Sequence, residues 1–171
     1  MTADALLGPA LVEEATKKSG LIWVRGEVAA ARPLWHVWHD GAAHLVGDGP
    51  GEQPLPGLVD GGTAEVTVRS KDKGGRVVAW TAAVREIPPG TAEWDAAVAE
   101  LKGKRLNASD GEAMPERWAR ECRLVRLDPR GSTTDLPDGS LAAAPLPSPG
   151  ITRRPVPAAL PKLLLGRKRR R

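Results

Sequence analysis

The chain has 171 residues, room for one domain with appendages, and 41% of them are hydrophobic, enough for a single core. Charge is segregated: residues 152–171 hold eight of the 25 Lys and Arg and no acid, which leaves 17 against 21 Asp and Glu in residues 1–151, a net charge of −4. A mildly acidic body excludes a basic nucleic-acid-binding face across it, the lone Cys122 excludes an intrachain disulfide and a thiolate zinc site, and no apolar run approaches the roughly 20 residues of a membrane helix.

The N-terminal stretch lacks the positive and apolar regions of a secretory signal. With the single cysteine, this predicts a soluble, cytoplasmic protein. There is no Phe and no Tyr, so six Trp carry the aromatic burial: Trp23, Trp35, Trp38, Trp80, Trp94 and Trp118. Most are expected in the core or at a subunit interface.

Residues 9–18 read as a short helix. Pro9 suits its first turn, Glu13 and Glu14 stand four residues before Lys17 and Lys18, and Gly20 follows its end. Leu21 to Arg25 is β-branched and aromatic and reads as a strand. Leu34 to His39 reads as the next, and Asp40-Gly41 after it is a type I′ hairpin signal that pairs Ala42 to Gly47 back onto it. The glycines and prolines of 49–57 exclude helix and central strand. Ala64 to Arg69 alternates with Ala64, Val66 and Val68 on one face, and predicts a hairpin with the long strand Arg76 to Ile87 across a polar turn.

Pro88-Pro89-Gly90 stops the sheet. Thr91 is a good N-cap for a helix over 92–102, whose stripe Trp94, Ala97, Val98 and Leu101 faces the sheet. Pro115 to Arg120 reads as a helical turn, and Cys122 to Leu127 as a last strand ended by Asp128-Pro129. From Arg130 onward the periodicity fails and prolines recur.

The fold expected is mainly β: a six-stranded antiparallel split barrel with one or two packed helices and a disordered C-terminal tail. Its parts are an N-terminal helical segment (1–19), the barrel domain (20–130), and a proline-rich, basic tail (131–171).

The order of these elements resembles the flavin-binding split β-barrel family, which includes pyridoxamine 5'-phosphate oxidase and deazaflavin-dependent reductases. The segments that carry it are PLWHVWHDGAAHLVGDG, TAEVTVRS, GRVVAWTAAVREI, the helix, and ECRLVRLDP. The resemblance implies a homodimer with FMN or a deazaflavin (F420) at its interface, and, if catalytic, an oxidoreductase. The implied ligand contacts are the backbone of Gly49, Gly51 and Gln53, the basic strand end Arg69, Ser70 and Lys71, and Trp80 against the ring. One departure stands out. The loop after the third strand, Gly49 to Gln53, has no basic residue and carries Glu52, whose carboxylate would repel a phosphate. A cofactor-free relative therefore stands as the alternative.

Each candidate also has a plainer reading. The 49–57 loop is either a ligand loop or a rigid connection, Arg69 to Lys71 either an anion site or a solvated hairpin end, and the tryptophans either a stacking platform or packing. Alternation puts Trp35 and Trp38 on opposite faces and leaves only His39 and His44 sharing one, too few groups for a metal site. Cys122 reads as a small buried hydrophobe. The tail is either a solubilising end or a docking segment for a polyanion or acidic protein.

Overall fold

The computed structural model describes residues 3–69, 76–106 and 110–131. The expectation of a disordered tail over 131–171 therefore falls, beyond Gly131, outside the described residues, as do Ser70 and Lys71.

Helix α1 (Ala3–Lys18) is followed by strands β1 (Leu21–Arg25), β2 (Arg32–Trp35), β3 (Val37–His39), β4 (Ala42–Gly47), β5 (Thr63–Arg69) and β6 (Arg76–Glu86). Then come α2 (Ala92–Lys104), a 3-10 turn (Gly111–Ala113), α3 (Met114–Glu121) and β7 (Arg123–Arg130). All seven strands form one antiparallel sheet in the order β2-β1-β5-β6-β7-β4-β3.

The strand expected over 34–39 is two strands, which is why the count is seven and not six. The chain breaks at His36. β2 pairs with β1, while β3 pairs with β4 at the other end of the sheet. One residue thus joins the two edges and nearly closes the barrel, which removes the free edges that invite aggregation.

The Asp40-Gly41 turn has positive φ at both positions (45° and 70°), as a type I′ hairpin requires. Val37 stands opposite His44, the register the turn predicts. β5 alternates as expected, with Ala64, Val66 and Val68 inward, and its register with β6 runs from Thr63↔Ala83 to Arg69↔Arg76.

Three boundaries differ from expectation. α1 begins before Pro9, so the proline is internal to the helix. α2 runs through Gly103 to Lys104. β7 continues through Pro129, because β4 pairing ends at Leu127 and residues 128–130 pair with β6 alone; a strand with one neighbour tolerates a missing N–H.

Two cores result. The barrel interior holds Ile22, Val24, Leu45, Val66, Val84, Leu127 and Trp80, closed at one end by Val12 of α1. The second core lies outside the sheet, where Val37, Val46 and Leu124 meet the Trp94, Ala97, Val98, Leu101 stripe of α2 and Met114 and Trp118 of α3. β4 is buried along its whole length because it lies between the two. Each fully buried Val, Leu or Ile contributes about 1.5–3 kcal/mol through apolar surface removed from water.

Candidate functional site

The break at His36 does more than close the barrel. It opens a cleft of about 400 Å³ lined by Trp35, His36, Val37 and Trp38, by the end of α1, and by Lys104 to Leu106 at the end of α2.

 At the α1 end the lining residues are Lys17, Ser19 and Gly20. Trp35 and Trp38 both line this cleft, against the expectation from strict alternation, because the strand bends between them. Their rings still pack apart: Trp35 leans on Trp118 of the outer core (6.5 Å between centroids), and Trp38 meets Trp80 edge-on in the barrel (6.3 Å).

His36 fixes the bend. It is buried, and its Nε2 donates to the Thr16 carbonyl at 2.9 Å, which ties α1 to the strand break. Its Nδ1 has no partner among the described residues. Burial lowers its pKa to about 4, so the ring is neutral at pH 7.

Among the described residues, three cations line the cleft, Lys17, Lys104 and Arg105, and no carboxylate does. Arg105 caps the end of α2, where its backbone N–H reaches the Leu101 and Lys102 carbonyls. Its guanidinium stands 5.3 Å from the centre of the Trp35 ring, a cation–π contact. The cleft therefore offers indole surface beside positive charge, a combination that suits a flat ring with an anionic arm.

The 48–53 loop forms one wall of the support behind Arg105. It closes on itself through Asp48 N–H to the Gln53 carbonyl (2.9 Å) and Glu52 N–H to the Gly49 carbonyl (3.1 Å). The side chain of Glu52 is fully buried: Oε1 accepts from Arg117 at 3.0 Å and from Trp118 Nε1 at 2.9 Å, and Oε2 lies 3.3 Å from Arg105. Its charge is thus matched inside the protein, and it does not face a ligand as the sequence suggested. Asp110 also holds Arg117, and that hydrogen bond in turn lowers the carboxyl's pKa.

The residues singled out from the sequence are dispersed. Gln53 spends its amide on Trp35, accepting from its N–H and donating to its carbonyl, both at 2.9 Å. Gly49 packs so closely on α3 that a Cβ there would collide with Cys122 Sγ and the Glu121 carbonyl. Gly51 is a turn residue at φ 75° whose carbonyl accepts from Arg105 at 3.2 Å. Arg69 lies 4.2 Å over the ring of Trp23 and lines a separate depression with Lys18 and Ser19. Ser19 lines both hollows, so the two adjoin. Trp80 is enclosed in the barrel core and 3% exposed. The cleft residues Lys17, Lys104 and Arg105 were missed, because their meeting depends on the strand break and not on any local motif.

His39 and His44 do meet, at 5.8 Å between ring centres. Among the described residues, no group of three or more His, Cys, Asp or Glu is placed to hold a metal ion. Burial raises the pKa of the Cys122 thiol, which disfavours the reactive thiolate.

Neither a protein-family model nor a curated protein matches the chain. Solved structures do. HutZ, the heme storage protein from Vibrio cholerae, aligns with a TM-score of 0.54 over 72% of this chain and 90% of its own, at 11% identity. A putative general stress protein 26 from Jannaschia sp. CCS1 aligns at 0.49, over 74% and 76%, at 11% identity. The FAD binding protein from Mycobacterium smegmatis aligns at 0.43, over 78% and 94%, at 14% identity. The chain has the flavin-binding split-barrel fold, the fold of the pyridoxamine 5'-phosphate oxidase-like proteins. No helix among its described residues is long and apolar enough to cross a membrane.

Proposed function

We propose that the chain binds a flavin-class cofactor, FMN or a deazaflavin, in the cleft at the His36 strand break. The observation that carries this reading is the pairing of Trp35 and Trp38 with Lys17, Lys104 and Arg105 around one hollow. Indole surface suits a flat ring, and the cations suit a phosphate-bearing arm. A bound ring of this class supplies hydride or electron transfer, which would make the protein an oxidoreductase. The chain's own part is to hold and orient it. His36 is neutral at pH 7 and adds no positive charge to the cleft. Arg69 adds positive charge beside the adjoining depression, and Ser70 and Lys71 follow it in sequence. A homodimer and a cytoplasmic location accompany this reading.

Titration of the purified chain with FMN and with F420 tests it. Binding should quench the tryptophan fluorescence and raise the melting temperature, and Trp35→Leu should weaken both effects. No change with either cofactor removes the reading.

A second reading rests on charge segregation: eight cations and no acid in residues 152–171, on a body of net charge −4. Here the tail docks onto a polyanion or an acidic protein by counterion release. Deleting residues 152–171 should abolish a salt-sensitive interaction with heparin while leaving thermal stability nearly unchanged. Salt-sensitive binding that survives the deletion removes this reading.

A further inference from the structure

We infer that Arg105 is the residue by which the cleft selects ligands with an anionic arm over their neutral relatives, and that buried Glu52 is the residue that positions it. This rests on the cleft being the ligand site, and it adds which side chain sets the specificity.

The geometry points to Arg105 among the three cations. Lys17 lies on the outer surface of α1, 57% exposed, with Glu13 4.0 Å away, and Lys104 is exposed as well, so water screens both charges. Arg105 is 26% exposed and backed by protein. Its terminal nitrogen donates to the Gly51 carbonyl, and the same nitrogen makes the 3.3 Å approach to Glu52. Its buried Nε has no hydrogen-bond partner among the described residues, and neither has Glu52 Oε2. A guanidinium has five N–H donors in a planar fork. Here Nε is buried beyond a ligand's reach, so the terminal amino groups are the donors left to the cleft, and a phosphate is the group that takes such a pair bidentately.

Glu52 explains why the guanidinium stays there. Oε1 is fixed by Arg117 and Trp118, both on α3, so the carboxylate is a rigid anchor between α3 and the end of α2. Oε2 and the Gly51 carbonyl together hold one edge of the guanidinium, and the Trp35 ring lies beside it. The glutamate attracts the residue that would read the anion. It acts through Arg105 and touches no ligand itself.

The experiment compares FMN with riboflavin, which has the same ring and no phosphate, by fluorescence titration of the full chain. Inorganic pyrophosphate, read by melting temperature, serves as a ring-free probe. A charge-assisted fork predicts that the parent chain prefers FMN by about 10- to 100-fold. Arg105→Gln should bring that ratio close to one while leaving riboflavin affinity within about threefold, and should remove the pyrophosphate shift. Arg105→Lys should recover only part of the ratio, because it keeps the charge and loses the fork. Glu52→Gln keeps the shape and the Trp118 acceptor. It should lower the ratio as well, an effect that a purely structural role would not have on FMN relative to riboflavin.

Equal affinity of the parent chain for FMN and riboflavin would leave the flavin reading standing and overturn this inference. An unchanged ratio in Arg105→Gln would do the same. If no flavin binds but pyrophosphate raises the melting temperature in an Arg105-dependent way, the flavin reading fails and the anion assignment holds. If pyrophosphate also has no effect, both fail.

Discussion

Acidification should destabilise this protein well above the range in which carboxylates titrate, and His44 is the place to measure it. His44 is completely buried under the N-terminal end of α2, and neither ring nitrogen has a hydrogen-bond partner among the described residues. Only a loose approach of the Ala42 backbone favours its charged form, together with Glu93. Desolvation comes first in lowering its pKa to about 4, followed by Arg126 on β7 and His39 on β3. His36 is lowered to about 4 as well, chiefly by burial. A histidine whose folded pKa lies below its unfolded value of about 6.5 contributes stability that is fully present above that value. It is lost as pH falls toward the folded pKa, because the unfolded chain then binds the extra proton. Between pH 7 and pH 5 the loss is about 2 kcal/mol per histidine, or about 4 kcal/mol for the pair, out of a total of the order of 5–15 kcal/mol. The carboxylates held low by ion pairs, such as Glu93 beside Arg85, lose their share only below about pH 4.5, outside this window. Urea unfolding at pH 7, 6 and 5 reads the effect directly. His44→Leu should remove about half of the pH dependence. It should also be neutral or stabilising by about 1 kcal/mol at pH 7, because it removes two unpaired polar atoms from the interior. A variant whose stability falls with pH as steeply as the parent's would refute the assignment.

Other consequences concern the outer core and its loop. Glu52→Ala should cost about 1–3 kcal/mol in urea unfolding, because it leaves the Trp118 indole N–H without its acceptor, while Arg117 keeps Asp110 and the Pro50 carbonyl. Trp118→Phe should cost more than Trp80→Phe, by about 1 kcal/mol, since the Trp118 indole N–H donates to Glu52 while that of Trp80 is buried without a partner among the described residues; equal losses in melting temperature would contradict this. Gly49→Ala should destabilise by about 1–3 kcal/mol or more, because its Cβ falls on Cys122 and the Glu121 carbonyl. Gly51→Ala at the open turn should cost less, about 1 kcal/mol, from its positive φ alone.

Local chemistry made much of the fold legible. The Asp40-Gly41 pair specified a hairpin and its register, the alternation of Ala64 to Arg69 specified its inward face, and Thr91 with the Trp94 stripe specified α2 and its buried side. Each of these is written within about ten residues of sequence. The break at His36 is not, because Leu34 to His39 is a good strand throughout. What divides it is that β1 claims one half and β4 the other, a competition between distant partners. The cleft was illegible for the same reason, since it gathers the ends of α1 and α2 around that break. Glu52 was misread because the groups that bind its carboxylate on α3, Arg117 and Trp118, lie more than 60 residues further along the chain. A glutamate inside a Gly/Pro-rich loop, followed by an Arg-Trp pair on a short helix, was the only trace of that contact.

A crystal structure of the full chain grown with FMN tests most directly whether the hollow at the His36 break receives the cofactor. The ring should lie against Trp35 with its phosphate on the Arg105 guanidinium. A ring seated away from that cleft, or no bound FMN at saturating concentration, would contradict the account.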